Sequence, residues 1–175
     1  MECFVRRLLL SVFLMAATHA YAEKSFVVAP SVGAASISNI SGYKNSTYLR
    51  VDGSFFPLPE FGVNVFVANH SGFDSNGSGI PVTIKVNSAG VGVVGRWPVH
   101  PHVQPYVRAD YMRWNAESTG LGRTLAKDSG NSPGLAVGVQ FPIRRIIGIK
   151  AEVSGYNNVS GADIRQFSVG MALEF

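Results

Sequence analysis

The sequence predicts an all-β protein: an eight-stranded antiparallel up-and-down transmembrane β-barrel. Three observations lead to this fold class. The chain contains eight runs in which alternate residues are apolar, and strongly helical stretches are absent. The connections between these runs are alternately short and long. In several runs one face is apolar and the opposite face is small or charged.

The N-terminal residues predict a secretory signal peptide. Arg6 and Arg7 supply the positive region, residues 8–17 the apolar region, and Ala20 and Ala22 a small-x-small cleavage site. The apolar stretch is too short for a membrane-spanning helix, which needs about 20 residues. We therefore expect two parts, a signal peptide over residues 1–22 and a barrel domain over residues 23–175.

The composition argues against several function classes. The formal net charge is +4, and the Lys and Arg residues are spread along the chain, whereas nucleic-acid binding usually concentrates them on one face. The only cysteine, Cys3, lies in the predicted signal peptide. A disulfide is therefore not expected, and neither is a lipid anchor at the cleavage site. We expect no nucleic-acid partner and no cofactor.

The eight strands follow, in chain order, from the parity that is consistently apolar. We expect them over residues 26–38, 48–56, 61–70, 81–97, 105–114, 133–141, 146–156 and 164–175. Strand seven shows the split most clearly, because Ile149 and Val153 alternate with Lys150 and Glu152. The first of these faces favours lipid and the second does not.

Strand four is the exception to a single parity. Its apolar residues are even-numbered up to Val86 and odd-numbered from Val91 onward. If the apolar face points to lipid throughout, the parity changes between Asn87 and Ala89. This change predicts a β-bulge in strand four.

The connections alternate in kind along the chain. Three are compact and marked by proline, at residues 57–60, 98–104 and 142–145. Four are richer in Gly, Ser and Asn, at residues 39–47, 71–80, 115–132 and 157–163. Transmembrane barrels of bacteria have short periplasmic turns and longer extracellular loops. Both termini are therefore predicted to lie on the periplasmic side.

The outward parity predicts an aromatic girdle at the periplasmic end. It comprises Phe26, Phe55, Phe61, Trp97, Phe141 and Phe175. Aromatic girdles mark the membrane interfaces of transmembrane barrels. A soluble β-sandwich is the alternative, but its outward face should be polar, and here the charged face is the inner one.

The inward parity predicts a charged lumen. Its members are Arg50, Asp52, Lys85, Arg108, Asp110, Lys150, Glu152 and Glu174, four basic and four acidic side chains. Because unpaired charges in a narrow interior are costly, we expect an ion-pair network that plugs it. An eight-stranded barrel is just wide enough to be filled by side chains. A narrow ion path is the alternative use of the same residues.

No catalytic or metal-binding residue is predicted. The acidic side chains have no nucleophile at a recognisable spacing. His70 and Ser71 are adjacent, and adjacent residues of a strand face opposite sides. His100 and His102 lie in a predicted turn without an evident third ligand.

The C-terminus carries the most specific pattern. Residues 168–175 are Ser-Val-Gly-Met-Ala-Leu-Glu-Phe, an alternating segment that ends in an aromatic residue. The segment resembles the C-terminal signal of the small outer-membrane β-barrel family, which includes the transmembrane domain of outer membrane protein A, OmpX and Ail. The resemblance implies that Ser168, Gly170, Leu173 and Phe175 form the signal read by the barrel assembly machinery, which pairs the terminal strand by β-augmentation.

The resemblance extends over the whole predicted barrel domain. Residues 92–97, followed by Pro105, Tyr106 and Val107, are similar to the central hairpin of the family. This likeness implies a location in the outer membrane, with membrane lipid and lipopolysaccharide as neighbours. A monomer is expected, because an eight-stranded barrel closes without a partner. No long extracellular strands are predicted.

Function is expected in the loops, because loops carried by a rigid scaffold usually provide it. The first hypothesis is a non-enzymatic surface protein whose loops serve envelope integrity or contact a surface ligand, with residues 115–132 as the display element. One alternative is an enzyme that modifies lipid A, which requires a His-Ser pair at the lipid-facing rim. Another is a narrow small-solute channel.

Overall fold

The fold is a closed barrel of eight antiparallel strands in sequential order, as the sequence predicts. The computed structural model describes residues 25–40, 42–75 and 81–175, and the predicted signal peptide lies outside them. The strands are β1 (Ser25–Ile37), β2 (Ser46–Leu58), β3 (Phe61–Asp74), β4 (Val82–Arg96), β5 (Gln104–Gly120), β6 (Arg123–Arg144), β7 (Ile147–Val159) and β8 (Ala162–Glu174). In the described part of the chain, no helix is long and apolar enough to cross a membrane.

The two ends of the barrel differ in their connections. The first residue of β1 and the last residue of β8 lie at one end of the barrel, together with connections 59–60, 97–103 and 145–146. We refer to this end as the turn end. The connections that follow β1, β3, β5 and β7 start at the opposite end, the loop end. The barrel closes where β1 pairs antiparallel with β8.

The outward face is apolar near the turn end. All six residues of the predicted aromatic girdle lie there with exposed side chains, from 41% for Phe55 to 69% for Phe175. On β6 the outward apolar run extends from Phe141 to Pro133. At about 3.3 Å per residue, and with the strands tilted relative to the barrel axis, this run spans roughly 20 Å along the axis. This height is close to that of the apolar band of a transmembrane barrel.

Toward the loop end the outward side chains become polar. The change occurs at Asn69 on β3, Asn87 on β4, Arg113 on β5 and Asn131 on β6, all of which are exposed. The side chains of Asn69 and Asn87 are hydrogen-bonded to each other across the strand pair. Strands β3 to β6 continue past this level, so one side of the barrel wall rises above the apolar band.

Strands β5 and β6 are longer than predicted. The predicted loop 115–132 is mostly a β-hairpin that turns at Leu121 and Gly122, whose φ angles of 51° and 72° suit a two-residue type I′ turn. The expectation that long extracellular strands are absent is therefore wrong. Above the apolar band the side chains no longer alternate between apolar and polar, so their pattern gives no strand signal.

The β-bulge is on β3 and not on β4, so this prediction is wrong. β4 pairs with β5 without interruption from Val82 to Arg96. In the pairing of β3 with β4, the register shifts between His70 and Phe73, and the extra residue is on β3. Val86 is consequently buried inside the barrel, at 3% exposure, and the odd-numbered residues of β4 point outward along its whole length.

Glycines on the inner face lie opposite aromatic rings on the neighbouring strand. The directly paired residues are Gly33 with Tyr48, Gly90 with Phe66, Gly130 with Trp114, Gly134 with Tyr156, and Gly138 with Tyr106. At each of these glycines a side chain would overlap the ring opposite. The rings thus cover the glycine backbone and fill the narrow interior, which accounts for five of the 19 glycines.

We expect the Gly138→Ala substitution to destabilise the barrel. A methyl group there would overlap the Tyr106 ring and lie 2.6 Å from the carbonyl oxygen of Ala151. Overpacking of this kind typically costs about 1–3 kcal/mol. Urea unfolding in lipid vesicles, followed by tryptophan fluorescence, measures the change in the free energy of unfolding.

Gly155→Ala is the matched control, because the nearest atom to a methyl group there is 4.0 Å away. We expect its free energy of unfolding to be unchanged or slightly higher, since alanine loses less backbone entropy on folding. Equal destabilisation by both substitutions would contradict the packing argument.

Candidate functional site

Three strands bring charged side chains to the middle of the interior. β2, β5 and β7 each carry a basic residue followed two positions later by an acidic one, and residues two apart in a strand share a face. The six residues, here called the charged belt, are Arg50, Asp52, Arg108, Asp110, Lys150 and Glu152. Their side chains are between 0% and 7% exposed. The belt holds three positive and three negative charges.

Asp52 receives a cation from each of the three strands. Arg50 donates from Nε to Oδ1 at 2.9 Å, Arg108 donates from Nη1 to Oδ1 at 3.3 Å, and Lys150 donates from Nζ to Oδ2 at 3.0 Å. Asn64 adds a hydrogen bond from Nδ2 to Oδ1 at 3.2 Å. Asp52 is therefore the point at which the three strands are joined electrostatically.

The other two carboxylates each contact two cations. Asp110 Oδ2 lies 2.9 Å from Arg108 Nε and 3.3 Å from Arg50 Nη2. Glu152 accepts from Arg108 Nη2 at 2.8 Å and lies 3.3 Å from Lys150 Nζ. Hydrogen bonds to ionised groups are stronger than those between neutral groups, and the paired charges offset one another's desolvation.

Two tyrosines add hydrogen bonds to the belt, although Asp110 Oδ1 stays buried without a partner among the described residues. Tyr156 donates from its hydroxyl to Asp110 Oδ2 at 2.9 Å and accepts from Arg50 Nη1. Tyr106 donates to Glu152 Oε2 at 2.7 Å. Parity places both tyrosine rings on the inner face, but no sequence pattern indicates these two hydrogen bonds.

The charged belt lies between two apolar layers. The layer on the loop-end side is built mainly from Tyr48, Phe66, Phe73, Val86, Met112, Trp114, Tyr156 and Ile164. The layer on the turn-end side is built from Val27, Ala29, Phe56, Val94, Tyr106 and Ala172. The guanidinium of Arg50 stacks 3.7 Å from the centre of the Phe66 ring, which joins the belt to the upper layer.

Two predicted lumen residues lie elsewhere. The prediction that Lys85 faces the interior is wrong, because its side chain is exposed on the outward face of β4. Glu174 lies at the turn end and pairs with Arg96 Nη1 at 2.9 Å, separately from the charged belt. Sequence reasoning missed Arg96, although its even number places it inward once the bulge is removed from β4.

His70 and Ser71 do not form a catalytic pair. His70 is buried, with Nδ1 3.2 Å from the carbonyl oxygen of Val86 and Nε2 2.8 Å from Gln166 Nε2. Ser71 points outward and donates to the carbonyl oxygen of Thr47 at 2.9 Å. Among the described residues, no three His, Cys, Asp or Glu side chains cluster as metal ligands would.

The residues of the predicted assembly signal all lie on or just after β8. Ser168 is buried in the interior, and Phe175 is exposed at the turn end. Leu173 pairs with Val28 of β1 and with Ile147 of β7. Recognition of this strand by the assembly machinery stays a prediction.

Comparison with known proteins gives a family match over almost the whole chain. The family model described as outer membrane protein beta-barrel domain matches residues 8–175. No curated protein sequence matches the chain.

Several solved structures share the fold. Neisserial surface protein A (NspA) has a TM-score of 0.67 at 16% identity, covering 88% of this chain and 100% of that chain. Ail, the attachment invasion locus protein of Yersinia pestis, was solved with the heparin analogue sucrose octasulfate, and it has a TM-score of 0.60 at 18% identity, with coverages of 87% and 97%. The N-terminal β-barrel domain of Pseudomonas aeruginosa OprF has a TM-score of 0.63 at 10% identity, with coverages of 86% and 97%. At these identities the likeness shows the fold alone.

We expect the Arg108→Met substitution to destabilise the barrel strongly. It removes the cation that contacts all three belt carboxylates and leaves a net negative charge in the interior. Breaking a buried ion pair from one side typically costs about 3–5 kcal/mol. Urea unfolding in vesicles measures the effect.

The double substitution Arg108→Met with Glu152→Gln restores neutrality, so we expect it to recover part of the loss. Lys127→Gln is the surface control, since Lys127 and Glu117 lie 3.9 Å apart with exposed side chains. The control should change the free energy of unfolding by less than about 1 kcal/mol. An Arg108→Met variant as stable as this control would show that the belt contributes nothing.

Proposed function

The chain belongs to the outer membrane protein β-barrel family, and from this premise we propose that it is a non-enzymatic surface protein. In this proposal the interior is plugged, and the part of the wall that rises beyond the apolar band contacts ligands outside the cell. The protein lies in the outer membrane. Its loop end faces outward if, as in this class of barrel, the short turns face the periplasm.

The charged belt and its two apolar layers support the plugged interior. A conducting path needs a continuous, hydrated polar route. The loop-end layer consists mainly of packed aromatic and aliphatic side chains, and its buried polar pair, His70 and Gln166, is hydrogen-bonded within the packing. The belt has no net charge to attract ions, and each of its carboxylates is already paired. No solute path follows from this arrangement, so we assign the belt a structural role.

The observation that carries the surface role is the unpaired edge of β6, residues 123–133, here called the free edge. Pairing between β6 and β7 begins only at Gly134 and Tyr156, whereas β6 starts at Arg123. Residues 123–133 therefore have β5 on one side and, in the described chain, no partner strand on the other. Side-chain hydrogen bonds of Ser160 to Asp128 and of Ser132 to the carbonyl oxygen of Asn158 reach the lower part of this edge, so residues 123–127 are its most open part. Such an edge presents backbone N–H and C=O groups to which an extended segment of another protein can add.

The tip of the hairpin also favours contact with a partner. Leu121 has a φ of 51°, a conformation that usually selects glycine or asparagine, and its side chain is 74% exposed. Leu125, close to the tip, is 59% exposed. A strained, exposed leucine at the point farthest from the membrane suits a contact site better than a purely solvated loop.

A sulfated polysaccharide is the second candidate ligand. Ail was solved with a heparin analogue, and on this chain Lys85 and Lys127 lie on the strands either side of Glu117. The exposed Arg113 lies on the same outward face. This face therefore carries more positive than negative charge, which favours a polyanion.

We expect the purified wild-type barrel to show no steady conductance in a planar lipid bilayer. The physical reason is the closed loop-end layer above the paired belt. A steady ohmic current that changes when Arg108 is replaced by methionine would run through the barrel and would contradict the plugged interior.

We expect cells that express the protein to attach to wells coated with an immobilised unfolded protein or with heparin several-fold better than vector-only cells. A variant in which residues 116–128 are replaced by Asn-Gly should attach like vector-only cells, because it lacks the tip and residues 123–128 of the free edge. Leu121→Gly should keep the fold and reduce attachment, since glycine relieves the backbone strain but removes the apolar contact.

Competition separates the two ligand classes. If soluble sucrose octasulfate blocks attachment, the polyanion is the ligand, and if it has no effect on the protein-coated wells, contact with protein is favoured. Attachment by the shortened variant equal to that of wild type, or none by wild type on either surface, would contradict the proposal. Heat-modifiable migration on denaturing gels confirms that each variant is folded.

A further inference from the structure

An open groove of about 710 Å³ lies at the turn end, at the opposite end of the barrel from the free edge. Pro101 and His102, from the β4–β5 connection, form one wall. The other wall is the end of β6 and the β6–β7 turn, with Arg144 and Arg145. We refer to this feature as the turn-end groove.

A hydrogen bond between the two walls holds the groove in shape. His102 donates from Nδ1 to the carbonyl oxygen of Pro142 at 3.3 Å, which links the β4–β5 connection to β6. Within that connection, the backbone N–H of His102 donates to His100 Nδ1 at 3.2 Å. His100 and Val103 also exchange backbone hydrogen bonds. The wall that faces the arginines is therefore an ordered turn.

The groove has an excess of positive charge. Its acidic residue, Glu174, is neutralised by Arg96, whose Nη1 lies 2.9 Å from Oε1. Arg96 is further held by the carbonyl oxygen of Pro59 at 2.7 Å. Arg144 and Arg145 are exposed, and no carboxylate of the described residues lies within ion-pair distance of either. Two guanidinium groups are thus available to an anion.

The arginines are flanked by exposed apolar side chains on the same turn. Ile143 is 58% exposed and Ile146 is 50% exposed. Phe141 and Phe175, also exposed, continue this apolar surface into the aromatic girdle. In a membrane interface, arginine side chains extend along apolar surface and place their guanidinium groups among the lipid headgroups. This neighbourhood suits an anion that carries acyl chains.

We propose that the turn-end groove binds the phosphate group of an anionic phospholipid. The guanidinium groups of Arg144 and Arg145 donate hydrogen bonds to the phosphate oxygens, since the planar donors of arginine match phosphate geometry. The acyl chains of the lipid lie along Ile143 and Ile146. A free phosphate ion shares the headgroup chemistry but lacks these apolar contacts.

The test uses the folded, purified barrel taken from mixed vesicles of phosphatidylglycerol and phosphatidylcholine. Native mass spectrometry measures which lipid stays bound. We expect wild type to retain phosphatidylglycerol at least about 5-fold over its share in the vesicles, a difference of roughly 1 kcal/mol in binding. Arg144→Gln with Arg145→Gln should lose this preference.

The matched control is Lys44→Gln with Arg165→Gln, which removes two exposed positive charges at the loop end. It should keep the preference. Ile143→Ser with Ile146→Ser should weaken retention of the lipid, and inorganic phosphate at millimolar concentration should not displace it. Equal retention of both lipids by wild type would overturn the proposal, as would an unchanged preference in the double arginine variant. Displacement by phosphate with no effect of the isoleucine variant would show a free-anion site instead.

Discussion

The charged belt is the interaction on which the interior of the barrel depends. Eight strands enclose a space that side chains must fill, and six buried charges are tolerated there only because they cancel and contact one another. Since Asp52 accepts from cations on β2, β5 and β7, the belt couples strands that are not neighbours in the sheet. Backbone pairing joins each strand only to the next one, so the belt adds cross-links that the sheet lacks.

The interior is layered along the barrel axis, and this layering explains why the apolar residues of one strand were assigned to the wrong face. Period two correctly separates the faces of β7, where Lys150 and Glu152 point inward. The assumption that apolar means outward fails on β4, because Val86 belongs to the apolar layer above the belt. A bulge was therefore inferred where none exists, and Lys85 was assigned to the lumen. The period-two alternation is correct, but the lumen changes from charged to apolar along the barrel axis, so an apolar residue can face either side.

The length of β5 and β6 could not be predicted for a different reason. Inside the membrane, alternation is imposed by lipid on one side and packing on the other, so it appears in the sequence. Above the apolar band both faces of the hairpin meet water, and apart from Leu121 and Leu125 residues 115–131 carry polar or small side chains on either face. Only the backbone pairing with β5, which runs to Gly120 and Arg123, defines the strand there. The free edge is invisible in the sequence because it is set by where β7 ends.

The belt and the free edge are connected through β5. This strand contributes Arg108 and Asp110 to the belt, then Trp114 to the upper layer, and then the first arm of the hairpin. Trp114 also donates from Nε1 to Ser132 Oγ on β6 at 3.0 Å, which ties the two arms together at the base of the hairpin. A segment continuous with a buried, cross-linked strand loses less conformational freedom on binding than a loop of the same length. The charged belt therefore helps to hold the base of the exposed edge in place, and this rigidity supports the proposed contact role.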